Sequence, residues 1–232
     1  MDIDLEGRVN NQLDHIKDLV ATVCEVDVEP DGIVFNRTSI EVSRIKEDAD
    51  YEGVRVQFHA TLARARIPMQ LDIGFGDVIT PGPMEVEYPT LLNFPSPLLR
   101  AYPRETVVAE KLEALTALGV LNSRMKDFYD LALLSRLYPF EGQRLSEAVL
   151  ATFRHRSTGI EAEPIGLTRA YFDDPARTVQ WRAFMRRSRF GEEAGDLARL
   201  VVEIRPFALP MLSAAAAGAP FGLRWKPSGP WE

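Results

Sequence analysis

One cysteine, Cys24, and three histidines are all the thiol and imidazole that 232 residues supply. A lone thiol closes no intrachain disulfide, and a zinc-finger site is left without ligands. Cys24 stands in Val-Ala-Thr-Val-Cys-Glu-Val, which predicts a buried packing thiol. His15, His59 and His155 fall at no ligand spacing and read as surface or strand residues rather than catalysts. Long apolar runs are missing too. None approaches the ~20 residues that cross a bilayer, and the acidic N-terminus carries no signal-peptide core. A cytoplasmic location with no membrane partner is therefore the expectation. Nor is there an excess of positive charge: 27 Lys and Arg face 34 Asp and Glu, a net charge of −7. That disfavours a broad electrostatic grip on nucleic-acid phosphates. Arg154, Arg156, Arg182, Arg186, Arg187 and Arg189 do gather in the second half. Singly they read as solvated helix faces; as a group they could line a local acceptor-RNA groove.

The rest is ordinary for a globular protein, with 46% hydrophobic and 26% charged residues. The length suffices for one large domain or two small ones. Leu13, Ile16, Leu19, Val20 and Val23 recur at helical spacing and predict a helix over 9–24. After the Asp31-Gly32 turn, 33–35 and 39–42 read as short strands. Val54, Val56, Phe58 and Ala60 alternate with polar residues and predict a half-buried strand, with 67–75 its hairpin partner. Six prolines between 81 and 103 make 80–103 a connecting segment with an edge strand at 85–88. Helices are predicted over 104–119, 125–137, 144–156, 174–188 and 193–206, followed by an irregular surface tail from 220. The fold class is α+β: a small mixed, mainly antiparallel sheet with helices over 1–100, then an all-helical domain over 101–232.

Three clusters carry candidate chemistry. Asp2 and Asp4, on an extended segment, point both carboxylates to one face. Paired hard oxygens suit Mg²⁺, which commonly shares carboxylates with substrate phosphates. Asp72, in Gln-Leu-Asp-Ile-Gly-Phe-Gly-Asp, should project opposite Leu71 and Ile73. An unpaired buried carboxylate there is costly, and a metal offsets that cost; the plainer alternative is a sheet-edge carboxylate before a glycine turn. Asp77 reads as a turn residue. On the predicted helices, Lys111 lies at the edge of an apolar stripe, and Asp127 and Asp130 share a face with Arg124 and Lys126 beside them. Either these are local ion pairs on a solvated face, or Lys111 binds a triphosphate and an aspartate orients it or activates an acceptor hydroxyl.

Taken in order, Asp-x-Asp, Leu-Asp-Ile-Gly-Phe-Gly, Glu-Lys-Leu-x-Ala-Leu and Arg-x-Lys-Asp-Phe-Tyr-Asp-Leu resemble the AbiEii/AbiGii-type nucleotidyltransferase toxin family, from Asp2 to about Phe153 and more weakly into 181–184. The resemblance implies a DNA polymerase β-like nucleotidyltransferase fold with a helical C-terminal domain. It also implies a toxin of a toxin–antitoxin or phage-defence system, with a separately encoded antitoxin. By the same resemblance Asp2, Asp4 and Asp72 would hold Mg²⁺, and Lys111 and Asp127 would be catalytic. Arg124, Lys126 and Asp130 would support them. The substrate would be an NTP, and the acceptor an RNA (tRNA) or a protein hydroxyl.

The family carries a Gly-Gly-Ser/Thr loop and a helix ahead of the Asp pair, whereas only Met1 precedes Asp2 here. That loop grips the triphosphate, so whether the chain is an enzyme turns on it. A start codon assigned too late is the leading expectation; a shortened inactive paralogue and a split protein completed by another chain are the others. The competing functional reading is a non-catalytic remnant that binds an antitoxin or partner chain.

Overall fold

The computed structural model describes residues 2–48, 51–90, 93–188 and 195–232, with residues 2, 46–48, 51 and 52 described by their backbone alone. The chain forms two compact units, Met1–Asp77 and Val78–Glu232.

The first unit is a four-stranded sheet with one helix on it. Its strands are β1 (Asp2–Gly7), β2 (Ile33–Asp48), β3 (Tyr51–Leu62) and β4 (Ala65–Phe75), and its helix is α1 (Leu13–Val23). The sheet order is β1-β4-β3-β2; β1 runs parallel to β4, and the other two pairings are antiparallel. Alternation sorts the faces. Val54, Val56, Phe58 and Ile73 are buried with Ile16 and Val20 of α1, so the intervening residues of β3 and β4 make the opposite, polar face. Cys24 packs at the edge of this core, half-buried rather than fully buried; burial raises its thiol pKa and Arg37 partly offsets that.

The hairpin predicted from 54–61 and 67–75 is β3–β4. The two short strands predicted over 33–42 are instead one long strand with a register shift between Asn36 and Glu41. Local bonds cause the shift: Asn36 Oδ1 accepts from the Thr38 N–H and hydroxyl, and Ser39 Oγ donates to the Asn36 carbonyl. Such side-chain bonds compete with the ladder and leave a bulge.

The second unit begins with a two-stranded ribbon, β5 (Met84–Glu87) and β6 (Leu98–Ala101). Pro89, Pro95 and Pro97 are confined to the loop between them, where no ladder bond is lost. Helices follow: α2 (Arg104–Leu118), α3 (Met125–Leu137), α4 (Gly142–His155), α5 (Arg169–Phe172), α6 (Pro175–Ser188) and α7 (Leu197–Ala216). Leu112, Leu115, Phe128, Leu131, Phe153 and Phe207 are fully buried at their centre. The Asp174-Pro175 start holds, with Asp174 Oδ1 accepting the Ala176 N–H.

Two expectations for this unit are corrected. The last helix does not stop at Pro206; α7 continues through Pro206 and Pro210 to Ala216. Both prolines are exposed, while Val201, Ile204, Phe207, Ala208, Met211 and Leu212 make a buried stripe whose packing outweighs the lost backbone bonds. Nor is the tail an irregular surface segment. β8 (Arg224–Trp225) pairs with β7 (Phe140–Glu141), Phe221 and Trp225 are buried, and the Trp231 ring stacks 5.8 Å from that of Phe207. The architecture is α+β, a mainly antiparallel sheet followed by helices. Among the described residues no helix is long and apolar enough to cross a membrane.

Candidate functional site

The pairing of β1 with β4 sets Asp4 directly beside Asp72, and that of β3 with β4 sets Arg55 on the other side of Asp72. Residues opposite one another on adjacent strands share a face, so Asp4, Asp72 and Arg55 form a row across the polar side of the sheet. Asp2, opposite Gln70, lies one step along the same face by its backbone register; its side chain lies outside the described residues. Asp4 is exposed. Glu6, next along β1, accepts the Gly76 N–H through Oε1 at 3.2 Å.

Asp72 projects opposite Leu71 and Ile73, as alternation predicts. It is not an unpaired buried carboxylate, which corrects the reason given for a metal there. Its side chain is 23% exposed and held by a two-point fork, Arg55 Nε to Oδ1 at 2.8 Å and a second guanidinium nitrogen to Oδ2 at 2.7 Å. Gln70 Nε2 adds a bond to Oδ2 at 3.1 Å. The Arg55 hydrogen bond is the largest influence on Asp72 and holds its carboxyl below the usual range, against a smaller opposing effect of burial.

Asp4 and Asp72 fit a hard cation: two adjacent carboxylates on a solvent-facing sheet are what Mg²⁺ uses when substrate phosphates complete its shell. Among the described residues no three His, Cys, Asp or Glu are grouped for a metal ion.

The second cluster lies on α2 and α3. Lys111 of α2 reaches Asp127 Oδ1 at 3.0 Å and Asp130 Oδ2 at 2.8 Å, both on α3 one turn apart. The Lys111 and Asp127 side chains are 13% and 5% exposed. Burial is the largest single influence on the Lys111 ammonium and lowers its pKa, yet the charges and hydrogen bonds of the two carboxylates together outweigh it, so the net pKa is raised. Arg124 Nε stands 2.7 Å from Asp127 Oδ2, although Oδ2 has no directed hydrogen bond; the approach is off-line, and we read it as a charge contact. Lys126 donates to Asp130 Oδ2 at 2.6 Å along the exposed side of α3. The residues form one network of three cations and two carboxylates rather than separate solvated pairs. Its excess positive charge suits a phosphate.

What holds this network is not visible in any motif. Asn122, fully buried between α2 and α3, accepts the Arg124 N–H through Oδ1 at 2.8 Å and so fixes the start of α3, whose first turn carries Asp127. The Asn122 carbonyl accepts from the Tyr171 hydroxyl at 2.6 Å and from Arg177 of α6 at 3.0 Å. Arg177 also donates to the Val120 carbonyl and lies 4.9 Å from the Tyr171 ring centre. Burial pushes the Tyr171 hydroxyl pKa up to about 12, so it stays a neutral donor. Asp174-Pro175, which starts α6, is the only sequence signal that pointed near Arg177.

Of the remaining candidates, Arg156 pairs with Glu113 at 2.9 Å, while Arg154 and His155 are exposed. Arg182 and Arg186 line an open cavity of about 900 Å³ with Phe172, Trp181 and Met185, and Arg189 lies outside the described residues. His59 is half-buried between Asn36 and Arg66.

A sequence model described as "Nucleotidyl transferase AbiEii toxin, Type IV TA system" matches residues 1–207. Among solved structures, JHP933 from Helicobacter pylori is 16% identical with a TM-score of 0.44, covering 94% of this chain and 75% of that one. A nucleotidyltransferase candidate from H. pylori is 16% identical with a TM-score of 0.43, covering 94% and 78%. At this distance neither structure bears on the chemistry. A comparison with curated proteins finds no match.

Proposed function

Because the chain belongs to the AbiEii nucleotidyl transferase toxin family, we propose that it transfers a nucleotide from an NTP to an RNA or protein hydroxyl, as the toxin of a pair with a separate antitoxin. The observation that carries this reading is the register that sets Asp4 beside Asp72 on an open polar face. Asp4 and Asp72, with Asp2, would hold Mg²⁺. When bound, the metal supplies charge that draws in the triphosphate and stabilises charge developing at the α-phosphate. Lys111 remains an ammonium through Asp127 and Asp130 and binds phosphate oxygens as a point charge. Asp127 aims it, and Arg124 and Lys126 add positive charge beside it. In the transfer the acceptor oxygen forms a bond to the α-phosphorus and the bond to the bridging oxygen breaks. Pyrophosphate leaves, and the hydroxyl proton passes to solvent.

The test is incubation of the purified 232-residue chain, alone and with an N-terminal extension, with Mg²⁺, labelled NTPs and total tRNA or protein. Label transfer lost in both Asp4→Asn and Lys111→Met supports the reading. Transfer that survives Lys111→Met and Asp127→Asn removes those two from the chemistry. A second reading, a non-catalytic module that binds an antitoxin, is favoured by Arg55, which already neutralises Asp72 without a metal. Antitoxin binding with no transfer from either form of the chain would select it.

A further inference from the structure

We propose that Arg55 is a built-in counter-cation that competes with a divalent metal for Asp72, so that this chain sets its own metal affinity through the Arg55–Asp72 fork. The inference rests on the metal-binding reading of Asp4 and Asp72 given above. Asp4 stands opposite Asp72 on one neighbouring strand and Arg55 on the other. The Arg55 fork takes both Asp72 oxygens, and Gln70 takes a further position on Oδ2. A carboxylate offers about four lone-pair positions, and three are in use. A metal approaching Oδ1 would stand within a few ångströms of a guanidinium, where like charges repel strongly at the edge of a protein. Arg55 must therefore yield as the metal arrives. It has room to do so: its side chain is 38% exposed on the polar face.

Direct binding of Mn²⁺ to the full chain, followed by calorimetry and by loss of the free-ion paramagnetic resonance signal, tests this without any substrate. Removing the competitor in Arg55→Gln should tighten binding roughly fivefold, the upper range of a partly exposed ion pair. Arg55→Lys, which keeps the charge but not the fork, should fall between the two and guards against a fold lost with the charge. Unchanged or weaker binding in Arg55→Gln, with binding lost in Asp4→Asn and Asp72→Asn, overturns the role of Arg55 alone. Binding that persists in Asp4→Asn and Asp72→Asn, or that no form of the chain shows, overturns the metal reading and this inference with it.

Discussion

Lys111 is desolvated and still charged, and Asp127 and Asp130 are the reason. Replacing Asp127 with Asn leaves a buried cation with one carboxylate in place of two, at a cost of about 2 kcal/mol; chemical denaturation should show the shift in midpoint at unchanged slope. The pH dependence follows from the directions of the shifts. The raised Lys111 value means that its contribution is complete below the unfolded value near ~10.4 and is lost as pH rises through the higher folded value. Asp72 is opposite in sign: its lowered value gives a contribution that is complete above ~4 and is lost as pH falls through the lower folded value. Thermal melts across pH should therefore show an acid limb that flattens in Arg55→Gln and an alkaline limb that flattens in Lys111→Met. At this scale the sequence picked out Asp4, Asp72, Lys111 and Asp127 as candidates, because each sits in a short motif. Arg55 and Arg177 were illegible. One is defined by what lies across a hydrogen-bonded strand and the other by a helix arriving some fifty residues later, and no local spacing encodes either.

Helix and strand types were readable wherever apolar periodicity was strong, and ends were misread where two local rules competed. At Pro206 the breaker rule predicted a stop, while the buried stripe from Val201 to Ala215 carried the helix on. Since Pro206 faces solvent and removes one backbone donor, Pro206→Ala should stabilise the protein by roughly 1–2 kcal/mol, less than the ~3 of a fully interior proline; a higher melting temperature is the readout, and a lower one would show that the proline itself matters to packing. The turn between α2 and α3 is the other element under external control. Arg177→Met removes donors from the Val120 and Asn122 carbonyls and should raise amide exchange through residues 120–127 by one to two orders of magnitude, about 1.4 kcal/mol for each tenfold. Exchange confined to α6 would refute the link.

Each unit closes its own core, a small apolar cluster around Ile16, Val54 and Val56 in the first and a larger helical cluster in the second. The order of a β-rich stretch followed by helices was legible, because period-two and helical patterns occupy different stretches. The role of the tail was not, because Pro- and Trp-rich residues after 220 resemble loop until their partners Ser135 and Phe207 are known. That placement has an optical consequence. All three tryptophans, Trp181, Trp225 and Trp231, belong to the helical unit, and the sheet unit has none. Red-edge excitation therefore reports on the helices and is blind to the strands that carry Asp4 and Asp72. An indole placed at Phe58, in the core beneath those strands, would give them a fluorescence of their own. A denaturation curve from that variant that departs from the native tryptophan curve would separate the melting of the two units.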